Sequence, residues 1–268
     1  YCTLVVGSPF STSQYSRKSF INVFALGLPF IGSTDDDLTS VNHCVIDKTE
    51  RSVRILHSPS HPAAKGSGII SNAIENLEKK GYSIEFVLIQ GRPFQEVLME
   101  IQKCDFVVDQ VYSDTPLAGF ATEAAWFGKP AVVGGYGFEQ LQEFVPAGMW
   151  PPSKTCHPEE IENAVEELIS DKAQVRHLGM AARAFVRKNW SSDKVAKRFL
   201  NLVEDAIPDS WWVDPKRICY LYGWGQSMEL SKQLIKDMVL EYGVSSLQLS
   251  HRPDLEDAFL AFAGVGTG

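Results

Sequence analysis

The stretch CDFVVDQVYSDTPLAGFATEAAWFGKPAVV, residues 104–133, reads as a complete strand–helix–strand unit. Phe106, Val107 and Val108 form an apolar run closed by Asp109 and Gln110, the pattern of a short buried strand. Pro116 and Gly119 punctuate a loop over 111–119, and residues 120–127 are helix formers with Glu123 expected in the first turn. Gly128 stops that helix, and Lys129 and Pro130 lead into a second buried strand at 131–133. In such a unit the helix N-terminus lies at the carboxyl edge of the sheet, where α/β proteins bind ligands. Free N–H groups and the helix dipole there suit an anionic phosphate. A carboxylate on the first turn suits sugar or ribose hydroxyls.

The same grammar extends toward the N-terminus. A strand is predicted at 53–57, then a loop, then a helix at 69–80 with Ile69, Ile70, Ala73, Ile74 and Leu77 near helical period and Gly81 at its end. A strand at 84–89 follows, then the turn Gln90, Gly91, Arg92, Pro93, and a helix at 94–103 with Pro93 at its start. Strands alternating with helices predict an α/β, Rossmann-like parallel sheet with helices on both faces. Right-handed crossovers place the βα loops on one edge, so the Lys65 loop and the Leu117–Glu123 loop should face one cleft.

Beyond residue 133 the chain is mostly helical, with helices expected at 158–169, 172–188 and 192–206, the last capped by Ser191. A boundary is read at 208–215, followed by a strand at 217–222 and helices at 228–242 and 254–262. Residues 1–50 offer a strand at 3–6, a helix at 16–26 and solvated turns at 34–37 and 47–51, too little for a domain of their own. The chain divides on this reading into a remnant or end of an N-terminal region (1–50), a ligand-binding domain (51–207) and a helical C-terminal extension (208–268). Its start at Tyr1 reads as a fragment, or as a protein whose first half has been lost or cut away.

A net charge of −8 argues against nucleic-acid binding and against a polybasic membrane patch. Cys2, Cys44, Cys104, Cys156 and Cys219 are scattered, odd in number and without a CxxC pair, which suits free thiols in a reducing compartment. The longest apolar segment, 20–31, is broken by Asn22, Gly27 and Pro29, so no transmembrane segment is expected. The expected location is cytoplasmic, or peripheral at the membrane.

Several side chains could carry chemistry. Lys65 can reach a diphosphate, with Gly66 allowing close backbone approach and Ser67 capping the helix; the plainer reading is a surface lysine before a capped helix. His57 and His61 flank the same loop, but no carboxylate or cysteine completes a metal set, so no metal is expected. Asp109, Asp114 and Glu123 form a possible carboxylate cluster, although Glu123 could simply answer the helix dipole. The run from Gly134 to Gly137 lacks a full GxGxxG and is set aside as a dinucleotide motif. Trp211 and Trp212 read as packing anchors rather than a sugar platform.

These pieces together resemble the C-terminal, donor-binding domain of the GT-B glycosyltransferases, in the large retaining family 4. The resemblance runs over about 53–206 and rests on HSPSHPAAKGSGIISNAIENLEKKG (57–81) and the block DQ…GFATEAAWFGKPAVVGG (109–135). Glu123 to Val132 matches that family's EAMAxGxPVV-like run. By resemblance, Lys65 and Gly66 meet the donor diphosphate, and Leu117, Ala118, Gly119 and Phe120 offer backbone N–H groups to its distal phosphate. Glu123 holds the ribose hydroxyls, and Gln90 and Gly91 lie near the base. Ser60 stands where the family often has an arginine, with His61 beside it. Thr115 stands at the first Glu of E-x7-E, with Asp114 an approximate substitute and the one candidate for a catalytic role. The resemblance implies transfer of a sugar from a nucleotide-diphosphate sugar to a glycan or lipid-linked acceptor in polysaccharide biosynthesis. It further implies a retaining, metal-independent reaction with no cofactor besides the donor, and an acceptor half from a missing N-terminal domain or an oligomer partner. The alternatives are a non-catalytic nucleotide-sugar-binding or assembly module, and a GT-B-like sugar-nucleotide epimerase.

Overall fold

The structure is a computed structural model that describes residues 4–30 and 52–266. The turns expected at 34–37 and 47–51, and Thr3 of the first expected strand, lie outside these residues, as do Cys2 and Cys44.

Among the described residues the strands form two sheets. The larger contains β3 (Val53–His57), β4 (Ile84–Leu88), β5 (Phe106–Gln110), β6 (Ala131–Gly134) and β7 (Lys154–Cys156), in the order β4-β3-β5-β6-β7. All four pairings are parallel. Alternation along the strands separates two cores. Ile55, Phe106, Val108 and Val132 face one side, where Ile70, Ile74 and Leu77 of α3 (Ser67–Lys79) and Val165 and Leu168 of α7 (Ile161–Ser170) cover them. Leu56, Val107, Ala131 and Val133 face the other side, against Leu98 and Ile101 of α4 (Phe94–Lys103) and Ala121, Ala124 and Ala125 of α5 (Gly119–Trp126). Helices therefore cover both faces, as the strand and helix periods predict.

The alanine face of α5 admits a second helix at close range. A Cβ on Gly179 of α8 (Lys172–Asn189) would lie 2.1 Å from the carbonyl oxygen of Gly128, so only glycine fits that crossing. α9 (Ser192–Val203) follows; Ser191 sits at its N-cap, but its side chain makes no capping bond. Among the described residues the remaining helices are the single turns α1 (Val23–Leu26) and α2 (Pro62–Lys65), the short α6 (Phe138–Gln142), and α10 (Met228–Tyr242) and α11 (Pro253–Ala263) of the C-terminal segment. Among the described residues no helix is long and apolar enough to cross a membrane.

The N-terminal segment departs from its sequence reading. After a 3-10 turn (Thr12–Tyr15), a strand β2 (Phe20–Asn22) and the single turn α1 stand in place of a helix over 16–26. Asn22 causes the switch: its Oδ1 accepts from Phe24 N–H at 3.0 Å and starts the turn, while its Nδ2 donates to the Phe144 carbonyl at 2.7 Å. β2 pairs in parallel with β1 (Val6–Gly7) and antiparallel with β8 (Trp212–Val213), so the two ends of the chain share the smaller sheet.

The strand expected at 217–222 also fails to form. Arg217 closes a 3-10 turn (Pro215–Arg217), and the next residues run extended without a strand partner. Their polar groups are met by side chains instead: Gln14 Nε2 donates to the Tyr220 carbonyl at 2.9 Å, and Tyr220 N–H donates to Gln14 Oε1 at 3.1 Å. Trp212 is 39 % exposed, so it is not the packing anchor expected of it.

Candidate functional site

The carboxyl ends of β3, β5 and β6 bring several candidate residues together. His57 ends β3 and is fully buried, with Nδ1 2.8 Å from the Val108 carbonyl and Nε2 2.8 Å from Ser67 Oγ. A carbonyl only accepts, so Nδ1 carries the proton and Nε2 accepts from the serine. Burial holds the imidazole pKa below its usual range. His57 is thus a neutral strut between β5 and α3. Ser67, expected as a cap, is spent on this strut; Gly66 occupies the N-cap of α3.

Lys65 ends α2, the single turn whose N-cap is His61; His61 Nδ1 accepts from Ala64 N–H at 3.3 Å. Gly66 has φ +71°, and a Cβ there would meet the Val111 side chain at 2.6 Å, so glycine is needed to seat the lysine. The Lys65 ammonium lies 2.9 Å from Asp109 Oδ1, and the Lys65 carbonyl accepts from Val111 N–H at 3.1 Å. This ion pair is buried, with side-chain exposures of 11 % and 1 %. Asp109 Oδ2 is buried without a hydrogen-bond partner.

The loop between β5 and α5 is held at several points. Ser113 N–H donates to the Gly134 carbonyl (2.9 Å), Ser113 Oγ donates to the Thr115 carbonyl (2.7 Å), and Ser153 Oγ donates to the Pro116 carbonyl (2.7 Å). A Cβ on Gly134 or Gly135 would fall within 2.4 Å of the carbonyl oxygens of Val111 and Ser113, so these two glycines serve backbone packing. Leu117 is buried, and Ala118 is the N-cap of α5 without a side-chain cap. The first N–H groups of α5, from Gly119 onward, have no acceptor within the helix. Gly119 is exposed and Phe120 half-buried, so that end is open to a ligand.

Glu123 is not in the first turn of α5; the helix begins at Gly119 and places it one full turn in. It is therefore too deep to answer the dipole. Burial raises its pKa to about 7, reinforced by the nearby Asp109 carboxylate. Asp114 is also pushed up by burial, with the Lys65 charge opposing the shift. Gln90 and Gly91 follow β4 at the outer edge of the sheet and are exposed; Gln90 lines an open groove with Arg54, Arg92, Glu96 and Glu100. Among the described residues no group of three or more His, Cys, Asp or Glu is placed to hold a metal ion.

The Glu123 shift predicts a pH dependence. Between the ordinary glutamate pKa of 4.5 and about 7, the folded state holds a proton that the unfolded state releases. Stability therefore falls as pH rises through this window and levels off above it. Glu123→Gln is expected to flatten that slope and stabilise the protein by about 1–2 kcal/mol at about pH 8, solvent screening at a half-buried carboxyl limiting the size. Urea denaturation of both proteins at about pH 5 and about pH 8 measures it, and parallel pH profiles would refute the shift.

Local pattern pointed to Lys65 and Glu123 but not to a second layer of side chains. The half-buried Tyr112 and the buried Tyr136 stack with ring centroids 6.1 Å apart, and Tyr136 stacks on Tyr222 of the C-terminal segment at 4.4 Å. Tyrosine in a βα loop carries no local signal of such a partner.

No family model matches the sequence, nor does any curated protein. Solved structures do resemble it. HepE of Anabaena in complex with UDP-glucose aligns at TM-score 0.49 and 15 % identity, over 76 % of this chain and 64 % of that one. A TarM mutant from S. aureus in complex with fondaparinux, α-GlcNAc-glycerol and UDP aligns at 0.45 and 12 %, over 56 % and 35 %. S. aureus MnaA with UDP aligns at 0.36 and 16 %, over 62 % and 48 %. The chain spans less than two thirds of the length of each. At these identities and TM-scores the likenesses say nothing about activity.

Proposed function

We propose that residues 53–206 form the donor-binding domain of a glycosyltransferase that uses a nucleotide-diphosphate sugar, with retention and without a metal ion. One observation carries the reading: the Lys65 ammonium and the uncapped N-terminus of α5 both lie at the carboxyl edge of a parallel sheet, with Glu123 one turn behind. An ammonium has three N–H donors, and Asp109 takes one. The others, with the N–H groups of Gly119 and Phe120, would neutralise the diphosphate as it leaves. Glu123 as a carboxylate would accept from the ribose hydroxyls, and the base would lie toward Gln90 and Gly91. The acceptor, a glycan or a lipid-linked sugar, would meet the donor across a half supplied by a longer chain or a partner.

The test is calorimetry with UDP, GDP, ADP, TDP and CMP and their common sugar conjugates, on the wild type and Glu123→Ala. Saturable binding of one nucleoside diphosphate, weakened roughly tenfold (about 1.4 kcal/mol) by the substitution, supports the reading and names the base. Binding of none of these would sink it. A second reading, a nucleotide-sugar-binding module without turnover, is favoured by Thr115. This residue stands where the resemblance calls for the sugar-engaging glutamate, and its backbone is tied to Ser113 Oγ by N–H at 3.2 Å and C=O at 2.7 Å. Binding without transfer or donor hydrolysis would select it.

A further inference from the structure

Residues 218–227 form an irregular strap that crosses from the C-terminal segment onto the βα loops of the candidate site. Gly225 N–H donates to the Tyr112 carbonyl at 3.0 Å, and Met228 N–H donates to Tyr136 Oη at 3.2 Å. Gly225 has φ +71°, and a Cβ there would lie 2.9 Å from Ala64 Cβ, in the turn that ends at Lys65. Gly223 N–H is held by Ser231 Oγ at 3.2 Å, and Tyr220 stacks on Phe10 at 4.1 Å. The strap is thus pinned from both chain ends and from the loops after β5 and β6. Between its two glycines sits Trp224, half exposed on a backbone that is otherwise fixed.

The sheet order sets the sequence of loops along the carboxyl edge. β4, followed by Gln90 and Gly91, is one edge of the sheet; the loops after β5 and β6 lie on the far side of Lys65. A donor bound with its base toward β4 and its diphosphate at Lys65 and α5 would carry its sugar toward Tyr112, Tyr136 and the strap. We infer that this strap is part of the ligand site and that Trp224 is the aromatic platform for the pyranose ring attached to the distal phosphate. An indole offers an apolar face to the ring C–H groups and an N–H to a hydroxyl, at a small entropic cost when its backbone is already fixed. The inference rests on the donor-binding reading and adds a sugar-selecting element from outside the parallel sheet.

Calorimetry of the full chain with UDP, GDP, ADP and TDP, each against its hexose conjugate, tests it. Trp224→Ala is expected to leave the affinity for the free diphosphate within about twofold and to weaken the sugar conjugate about fivefold or more, with Trp224→Phe keeping most of the difference. Gly225→Val, which would lever the strap off Ala64, is expected to give the same selective loss without depending on the indole. An unchanged ratio of the two affinities in Trp224→Ala, or equal losses for both ligands in either variant, overturns the inference while leaving donor binding intact. A wild type that binds no diphosphate removes the donor reading and this inference together.

Discussion

Lys65→Met is expected to weaken nucleoside diphosphate binding at least roughly tenfold and to cost about 3–5 kcal/mol of stability. Both effects follow from burial. Asp109 is 1 % exposed, its Oδ1 is paired with Lys65, and its Oδ2 has no partner. Removing the ammonium leaves a buried carboxylate with no compensating charge. The double variant Lys65→Met/Asp109→Leu separates the two roles. An apolar pair of similar size should recover most of the lost stability, since replacing both members of a buried ion pair is often neutral. Nucleotide affinity should stay lost. If affinity returned with stability, Lys65 would be a structural lysine and the diphosphate would be held elsewhere.

Arg252→Met is expected to have a comparable effect on stability, about 3–5 kcal/mol, by unfastening the chain ends. The Arg252 guanidinium is 3 % exposed and donates to three carbonyls: Gln14 at 3.3 Å, Pro215 at 2.7 Å and Ile218 at 3.0 Å. Its Nη2 also pairs with Asp254 at 2.8 Å. Residues 14, 215–218 and 252–254 therefore meet on one planar group. Arg252→Lys should rescue little, because an ammonium cannot reproduce the fork geometry. Guanidinium denaturation gives the cost, and hydrogen exchange over 212–226 shows whether the strap loosens with it. A loss below about 1 kcal/mol would mean that the carbonyls find water instead.

How far the sequence could be read depended on whether the signal was local. Val53–His57, Phe94–Lys103 and Met228–Tyr242 fall where period and punctuation put them, because strand alternation and the helical period are written within each element. Gly128 and Pro93 mark helix ends for the same reason. Residues 16–26 misled because the apolar run from Phe20 to Leu26 fits a helix as well as a buried strand. The Asn22 amide settled it through a bond to Phe144, far along the chain. Residues 217–222 misled in the opposite way: their strand-like composition found a glutamine side chain where a strand partner would be.

The sequence by itself determined the alternation of strands and helices, hence a parallel sheet with two covered faces, and the placement of Lys65 and the start of α5 at its carboxyl edge. Right-handed crossovers leave little other choice once the order of elements is known. Only the tertiary structure decided that Lys65 is buried against Asp109, that Glu123 sits a turn deep with a raised pKa, and that His57 and Ser67 form a strut. It also decided that the C-terminal strap lies on the site. Burial, charge pairing and desolvation are properties of neighbours in space, and these neighbours come from segments that no local period connects.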